Sequence, residues 1–98
     1  MIEDSALSRL PGYEIYREGI EAIRMGEYRT APALLVSMAR TRLGRAGLPI
    51  PQYPQSGPAN LEFYNLLASR YPDPHFRYNA SLQRLDKFCR ALERMGPA

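Results

Sequence analysis

The sequence predicts an all-α fold, a compact bundle of four helices formed by one domain of 98 residues. Apolar residues recur at helical spacing in four segments, and each segment has a start or stop signal near its ends. No segment alternates polar and apolar residues over more than a few positions, so no strand is expected. Hydrophobic residues make up 45% of the chain and charged residues 23%, which is typical of a folded soluble protein. A chain of this length builds a single core.

The first predicted helix runs from Pro11 to Met25 and is closed by Gly26. Its apolar face carries Tyr13, Tyr16, Ile20 and Ile23, and its opposite, acidic face carries Glu14, Glu18 and Glu21. Gly19 predicts a close crossing with another helix, because a glycine inside a helix otherwise costs roughly 1 kcal/mol relative to alanine. Residues 1–10 are expected to add at most a short turn and to fray.

The second predicted helix begins after Thr30, a suitable N-cap, with Pro32 in its first turn, and it ends near Gly44 or Gly47. Its apolar positions cover more than half of its circumference, which predicts the most buried helix of the fold; they are Leu34, Leu35, Val36, Met38, Ala39 and Leu43. Three arginines crowd its last turns: Arg40, Arg42 and Arg45. Cations at this position complement the helix dipole, and a phosphate site is the alternative interpretation.

Residues 48–58 contain four prolines and are predicted to form an extended connector. Pro51 and Pro54 have the PxxP spacing of polyproline ligands, and Tyr53 between them would add an aromatic contact. A stiff connector between two helical hairpins is the preferred interpretation, and a recognition segment is the alternative. The hairpins are predicted over residues 11–47 and 58–95.

The third predicted helix is capped by Ser56 or Asn60 and stops before Pro72. Its apolar positions are Leu61, Tyr64, Leu67, Ala68 and Tyr71. The fourth begins with Asp73 as N-cap and Pro74 at the first helical position, and it extends to about residue 95. One apolar seam runs along it and is expected to close the core; it consists of Tyr78, Leu82, Leu85, Cys89 and Leu92, widened by Phe88 and Met95.

The sequence contains no recognisable catalytic apparatus, and no cofactor or metal is predicted. The single cysteine, Cys89, lies in the apolar seam, where a thiol acts as a small hydrophobic group. His75 has no catalytic partner close to it in the sequence. Arg70 and His75 share the Arg-x4-His spacing that helical ribonucleases of the HEPN class carry on one helix, but Pro72 and Pro74 predict a turn between them here. An enzyme is therefore the third of three hypotheses.

Charge segregation is the feature that points to partners. One sector of the last helix carries a basic face: Arg77, Arg84, Lys87, Arg90 and Arg94. Together with the acidic face of the first helix it favours a protein-interaction module, binding either a partner protein or itself as an oligomer. The alternative is a small nucleic-acid-binding regulator, such as an antitoxin-like or phage-encoded protein, although a net charge of +3 is small for that role.

No apolar run approaches the roughly 20 residues that a membrane-spanning helix needs. The first four residues, Met1 to Asp4, carry two acids and lack the basic and apolar parts of a secretory signal. A cytoplasmic protein without a membrane partner is the resulting expectation.

Overall fold

The structure is a computed structural model that describes residues 4–53 and 57–95. The described residues form six α-helices and no strand; the helices are α1 (Asp4–Leu7), α2 (Tyr13–Arg24), α3 (Ala31–Met38), α4 (Arg40–Arg45), α5 (Ala59–Arg70) and α6 (Pro74–Arg94). The all-α prediction is confirmed. The number of helices differs from the predicted four, because α1 precedes them and the second predicted helix is divided at Ala39. No helix in the described ranges has the length and the apolar character that crossing a membrane requires.

The N-terminal segment belongs to the core. Helix α1 is the short turn expected behind Asp4, and it places the side chain of Leu7 in the interior with only 2% of its surface exposed. Leu10 packs against the same core. One turn of helix is enough to anchor the segment, since a fully buried leucine contributes roughly 1.5 to 3 kcal/mol.

Helices α2 and α3 cross closely at Gly19, as predicted. A Cβ atom on Gly19 would lie 2.6 Å from the carbonyl oxygen of Pro32 and 2.8 Å from Cγ1 of Val36. The contact buries Ile20 and Ile23 of the predicted apolar face, whereas Tyr13 and Tyr16 are only half-buried. Ile15, which the predicted face did not include, is buried as well.

The second predicted helix is interrupted at Ala39, whose backbone angles are φ −99° and ψ 15°. Two residues earlier, the hydroxyl of Ser37 donates a hydrogen bond of 2.8 Å to the carbonyl oxygen of Ala33. Such a bond to the preceding turn bends helices, and it accounts for a break here. The predicted N-cap is confirmed, because Oγ1 of Thr30 accepts a hydrogen bond from the amide of Ala33.

Helix α3 lies at the centre of the fold, in contact with α2, α4, α5 and α6. Five consecutive residues, 33 to 37, are all buried. This confirms the prediction that the second segment is the most enclosed. The two predicted hairpins therefore do not form separate layers. Helix α2 of the first hairpin and helices α5 and α6 of the second all pack on α3.

Helix α5 turns only part of its predicted face to the core. Leu67 is buried as predicted, whereas Leu61 is 54% exposed and Ala68 is also exposed; Phe63, which the predicted face did not include, is buried. The predicted cap at Asn60 is wrong, because Asn60 lies inside the helix and Pro58 occupies the N-cap position without a side-chain hydrogen bond. The other predicted cap, Ser56, lies outside the described residues.

The seam of α6 is confirmed in its C-terminal half, where Leu85, Phe88, Cys89 and Leu92 are buried. Tyr78 and Leu82, near its N-terminus, are half-buried. Met95 was predicted to widen the seam but is 43% exposed, because α6 ends at Arg94, beyond the last core contact. The last buried residue of α6, Leu92, thus lies two residues before the end of the helix.

The first half of the connector is anchored on the core. The Tyr53 ring stacks on Tyr28 with centroids 4.6 Å apart, and its hydroxyl forms a hydrogen bond with Ser37. Nη1 of Arg40 donates to the carbonyl oxygen of Ile50 at 3.0 Å, and the guanidinium lies 5.4 Å from the Tyr53 ring centroid. The side chain of Tyr53 therefore makes contacts within the domain. The second proline of the PxxP spacing, Pro54, lies outside the described residues.

Candidate functional site: a groove between helices α2 and α6

The acidic face of α2 and the basic face of α6 meet within the molecule. Gly12 is the N-cap of α2 and has a φ of 80°, a conformation that favours glycine. A Cβ atom there would lie 2.8 Å from the carbonyl oxygen of Arg84 and 3.1 Å from Cβ of Phe88. The two helices touch at this point, and an ion pair between Glu14 and Arg84 joins them.

Beside this contact lies a groove of about 460 Å³, lined by residues of α2, α3, α5 and α6. Its apolar floor consists of four residues that are almost completely covered: Ile15, Leu35, Phe63 and Leu67. Ala80 and Ser81 line it from α6, where small side chains leave the space open. A groove of this volume lies within the range of sites that enclose a ligand or an anchoring side chain.

The rim of the groove is charged. Glu14 and Glu18 contribute acidic groups from α2, and Arg77 and Arg84 contribute basic groups from α6. Asp73 adds a third carboxylate at the start of α6. Opposite charges therefore come from the two helices that approach each other at this site.

Arg77 is held in place by two neighbours. Its Nε donates to Oδ1 of Asp73 at 3.0 Å, and its guanidinium carbon lies 3.8 Å from the centroid of the Tyr71 ring. Asp73 is the N-cap residue of α6 and Pro74 begins the helix, as predicted, although the Asp73 carboxylate accepts from Arg77 and makes no capping hydrogen bond to a backbone amide. The contact with an aromatic face orients the planar cation at the groove rim.

Phe76 lines the groove and is 72% exposed, in contrast to the covered apolar residues of the floor. An aromatic residue in this position has a large unburied surface that association could remove from water.

Glu14 is held in its ionised form. Its own backbone amide and the guanidinium of Arg84 donate hydrogen bonds to the carboxylate, and both lower the pKa of Glu14. At neutral pH Glu14 is therefore an anion that is paired with Arg84 at the rim of the groove.

The groove brings together four of the predicted binding residues: Glu14, Glu18, Arg77 and Arg84. Glu21 lies away from the groove, 3.9 Å from Arg17 on the same helix. Arg90 forms an ion pair of 2.9 Å with Asp86. Lys87 and Arg94 are exposed and form no ion pair with the residues that the structure describes.

The sequence did not single out Gly12, Tyr71 or Phe76 as site residues. Gly12 follows Pro11, and that dipeptide was a possible signal for a turn before the helix. Tyr71 was assigned to the core, and it is half-buried at the groove edge. The spacing of apolar residues along α6 does not predict that Phe76 is exposed beside an apolar groove, because the groove is formed by residues that are distant in sequence.

The arginines at the end of the second predicted segment have structural roles. Arg42 of α4 binds two carboxylates of α6, Glu93 and Asp86, each at 2.9 Å. Both hydrogen bonds raise the pKa of Arg42 and lower those of its partners. Arg40 binds the connector, and Arg45 is exposed. Arg42 and Arg45 lie in the last turn of α4, where the predicted complement to the helix dipole applies, and Arg42 in addition joins two helices.

The residues that the sequence offered as catalytic candidates lie on two helices, α5 and α6. Cys89 is 1% exposed, and burial raises the pKa of its thiol. Arg70 ends α5 whereas His75 lies in the first turn of α6, so they belong to different helices, as Pro72 predicted. Within the described ranges, no group of three or more His, Cys, Asp or Glu side chains is arranged to hold a metal ion.

Comparison with known proteins adds no relative from which a function could be transferred. The chain matches no protein-family model, no curated protein and no solved structure.

Proposed function

We propose that this chain is a non-catalytic protein-interaction module that binds a protein segment in the groove between α2 and α6. The observation that carries the proposal is the exposed ring of Phe76 beside an apolar floor, within a rim of fixed charges. Interfaces gain most of their free energy from a few apolar or aromatic anchors in such surroundings.

The apolar residues and the charged residues of the groove would contribute to binding in different ways. Covering Phe76 would supply most of the favourable free energy, at about 25 cal/mol per Å² of apolar surface removed from water, because the floor residues are already almost completely covered. The rim charges would add little affinity, because exposed ion pairs contribute about 0 to 1 kcal/mol each. They would select partners whose charges are complementary and would fix the direction of binding.

A nucleic-acid partner receives less support from the same charges. Arg77, Arg84 and Arg90 each form an ion pair with a carboxylate of this chain. Only Lys87 and Arg94 of the basic face then remain for phosphates, whereas nucleic-acid affinity grows with the number of phosphates that are neutralised. The protein partner is therefore the stronger proposal.

The proposal can be tested with a display library of random 12-residue peptides selected on the folded protein. Selected peptides should bind the wild type and lose affinity about tenfold or more on Phe76→Ala, because the anchor is truncated. Met25→Ala is the matched control, since Met25 is also 72% exposed and lies outside the groove.

Two results would contradict the proposal. One is a selection that yields only peptides whose affinity is unchanged by Phe76→Ala and by substitutions of Ala80. The other is salt-dependent binding to mixed-sequence DNA or RNA that is lost when Lys87, Arg90 and Arg94 are changed to alanine, which would favour the nucleic-acid regulator instead.

A further inference from the structure

We infer that the protein segment bound in the groove is basic, and that one of its lysine or arginine side chains pairs with Glu18 while an apolar residue covers Phe76. This inference rests on the proposed function and names the chemistry of its partner. Two observations carry it: the charge that the internal ion pairs of the groove leave uncompensated, and the exposed aromatic ring that lines the same groove.

The two cations of the groove are already compensated within the molecule. Among the described residues that line it, the guanidinium groups are those of Arg77 and Arg84. Arg77 donates to the carboxylate of Asp73 at 3.0 Å, and its cation lies over the Tyr71 ring. Arg84 forms its ion pair with Glu14. Neither cation is therefore a surplus charge that would select an acidic partner.

Glu18 carries the charge that these pairs leave over. With Glu14 and Asp73 it gives the described lining three carboxylates against two guanidinium groups, so the formal charge of the lining is negative. Glu18 lies 3.9 Å from Arg17, which is beyond hydrogen-bonding distance, and Arg17 lies equally far from Glu21. The side chain of Glu18 is 53% exposed, so a cation of a partner can reach it.

The N-terminus of α3, which lines the groove with Ala31 and Pro32, does not reverse this preference. Helix N-termini attract anions through amides that have no partner in the helix. Here the Ala33 amide donates to the side chain of Thr30, and the Leu34 amide donates to the Thr30 carbonyl oxygen. Pro32 has no amide hydrogen. An acidic partner would therefore find few donors at this end of the groove.

The exposed ring of Phe76 suits a segment that combines apolar and basic residues. Lysine and arginine have an apolar stem that covers hydrophobic surface and a charged end that stays in contact with water or a carboxylate. A cation over the face of an aromatic ring is also stabilised, and Arg77 on Tyr71 is an example at this groove. A basic segment with an apolar anchor can thus cover the ring and compensate Glu18.

The composition of the peptides selected from the display library tests the inference. Peptides that bind in a Phe76-dependent manner should contain lysine and arginine about twofold or more above the frequency in the unselected library. Aspartate and glutamate should fall below theirs. Phe76→Ala identifies the peptides that bind in the groove, so peptides that bind elsewhere do not enter the comparison.

Glu18→Gln removes the charge and keeps the size of the side chain. A selected basic peptide should bind this variant about two- to fivefold more weakly, the effect of losing one exposed ion pair. One lysine or arginine of the peptide should show the same loss when it is changed to glutamine, and that loss should disappear in the Glu18→Gln variant because the two groups are coupled.

Glu21→Gln is the matched control. Glu21 has the same contact with Arg17 but lies outside the groove, so its substitution should leave the affinity unchanged. Glu18 and Glu21 are both exposed, so neither substitution should prevent folding, and circular dichroism melts verify this.

The outcomes separate the inference from the proposed function. Phe76-dependent peptides without an excess of basic residues, or with an excess of acidic ones, overturn the inference and leave the interaction module intact. Basic peptides that bind equally to the wild type and to Glu18→Gln also overturn it, because another group then selects the charge. A selection without any Phe76-dependent peptide contradicts the proposed function itself, and the inference with it.

Discussion

The guanidinium of Arg42 forms a two-point ion pair with Glu93, in which Nε and Nη2 lie 3.1 and 2.9 Å from the two carboxylate oxygens. Its third nitrogen, Nη1, donates to Asp86 at 2.9 Å. This fork joins α4 to the C-terminal half of α6 across 51 residues of sequence. Paired, two-point contacts of arginine with carboxylates are stronger than single hydrogen bonds between neutral groups.

Arg42→Gln should lower the free energy of unfolding at pH 7, and the loss should shrink as the pH falls. The guanidinium lowers the pKa of Glu93 and Asp86 in the folded protein. A lowered folded-state pKa stabilises the protein above the unfolded value of about 4, and that contribution disappears as the pH falls through the folded value.

Urea melts at pH 7, 4 and 2.5 measure this effect. Arg45→Gln is the control, because Arg45 is exposed on the same helix. A destabilisation by Arg42→Gln that is equally large at pH 2.5 and pH 7 would show that the side chain acts through packing and not through its ion pairs.

Leu92→Ala should destabilise the domain by about 2 to 5 kcal/mol, and Leu85→Ala should have a similar effect, because both empty a packed site. The two side chains are 1% and 7% exposed. Leu61→Ala removes the same atoms from a side chain that is 54% exposed and should cost less than about 1 kcal/mol. Denaturant melts in which Leu61 and Leu92 behave alike would mean that α6 does not close the core.

Gly19→Ala should destabilise the domain by about 1 to 3 kcal/mol, the usual cost of overpacking. The new methyl group would meet the backbone of Pro32 at 2.6 Å, and a carbonyl cannot rotate away as a flexible side chain can. Gly44→Ala should instead stabilise α4 by about 0.5 to 1 kcal/mol, because no atom lies within 4 Å of the added Cβ. Thermal melts compare the two, and equal effects would refute the close crossing.

Cys89 should react slowly with a thiol reagent in the native protein and at a normal rate in denaturant. The thiol is 1% exposed, and burial raises its pKa, so little reactive thiolate is present near neutral pH. Cys89→Ser should lower stability more than Cys89→Ala if the hydroxyl has no partner in the core. Rapid labelling of the native protein would place Cys89 at an accessible surface and reopen the enzyme hypothesis.

Periodic patterns and end signals predicted much of the fold. The C-terminal half of the α6 seam, the Thr30 cap and the close approach at Gly19 all follow from local rules that the structure obeys. The sequence did not predict the break at Ala39. The hydroxyl of a serine in a helix can form several different hydrogen bonds, and the bond from Ser37 to Ala33 is one of them.

The face of α5 and the groove could not be predicted in the same way. The helix carries apolar residues around most of its circumference, so spacing alone did not separate Phe63 from Leu61. Four of the charged candidates line the groove, but their meeting depends on how the start of α2 packs against α6 at Gly12. That crossing is set by contacts between residues about 70 positions apart, which a local pattern does not contain.

Because α3 is buried by other helices of the fold, we expect the domain to fold only as a whole. Residues 33 to 37 of α3 are buried by helices from both parts of the sequence that the connector separates. Helix α2 precedes the connector, and α5 and α6 follow it. Cutting the chain at the connector would leave each fragment with an unsatisfied apolar surface, so we expect neither fragment to fold alone. The amides of α3 should exchange with solvent deuterium only when the whole molecule opens, at the free energy of global unfolding.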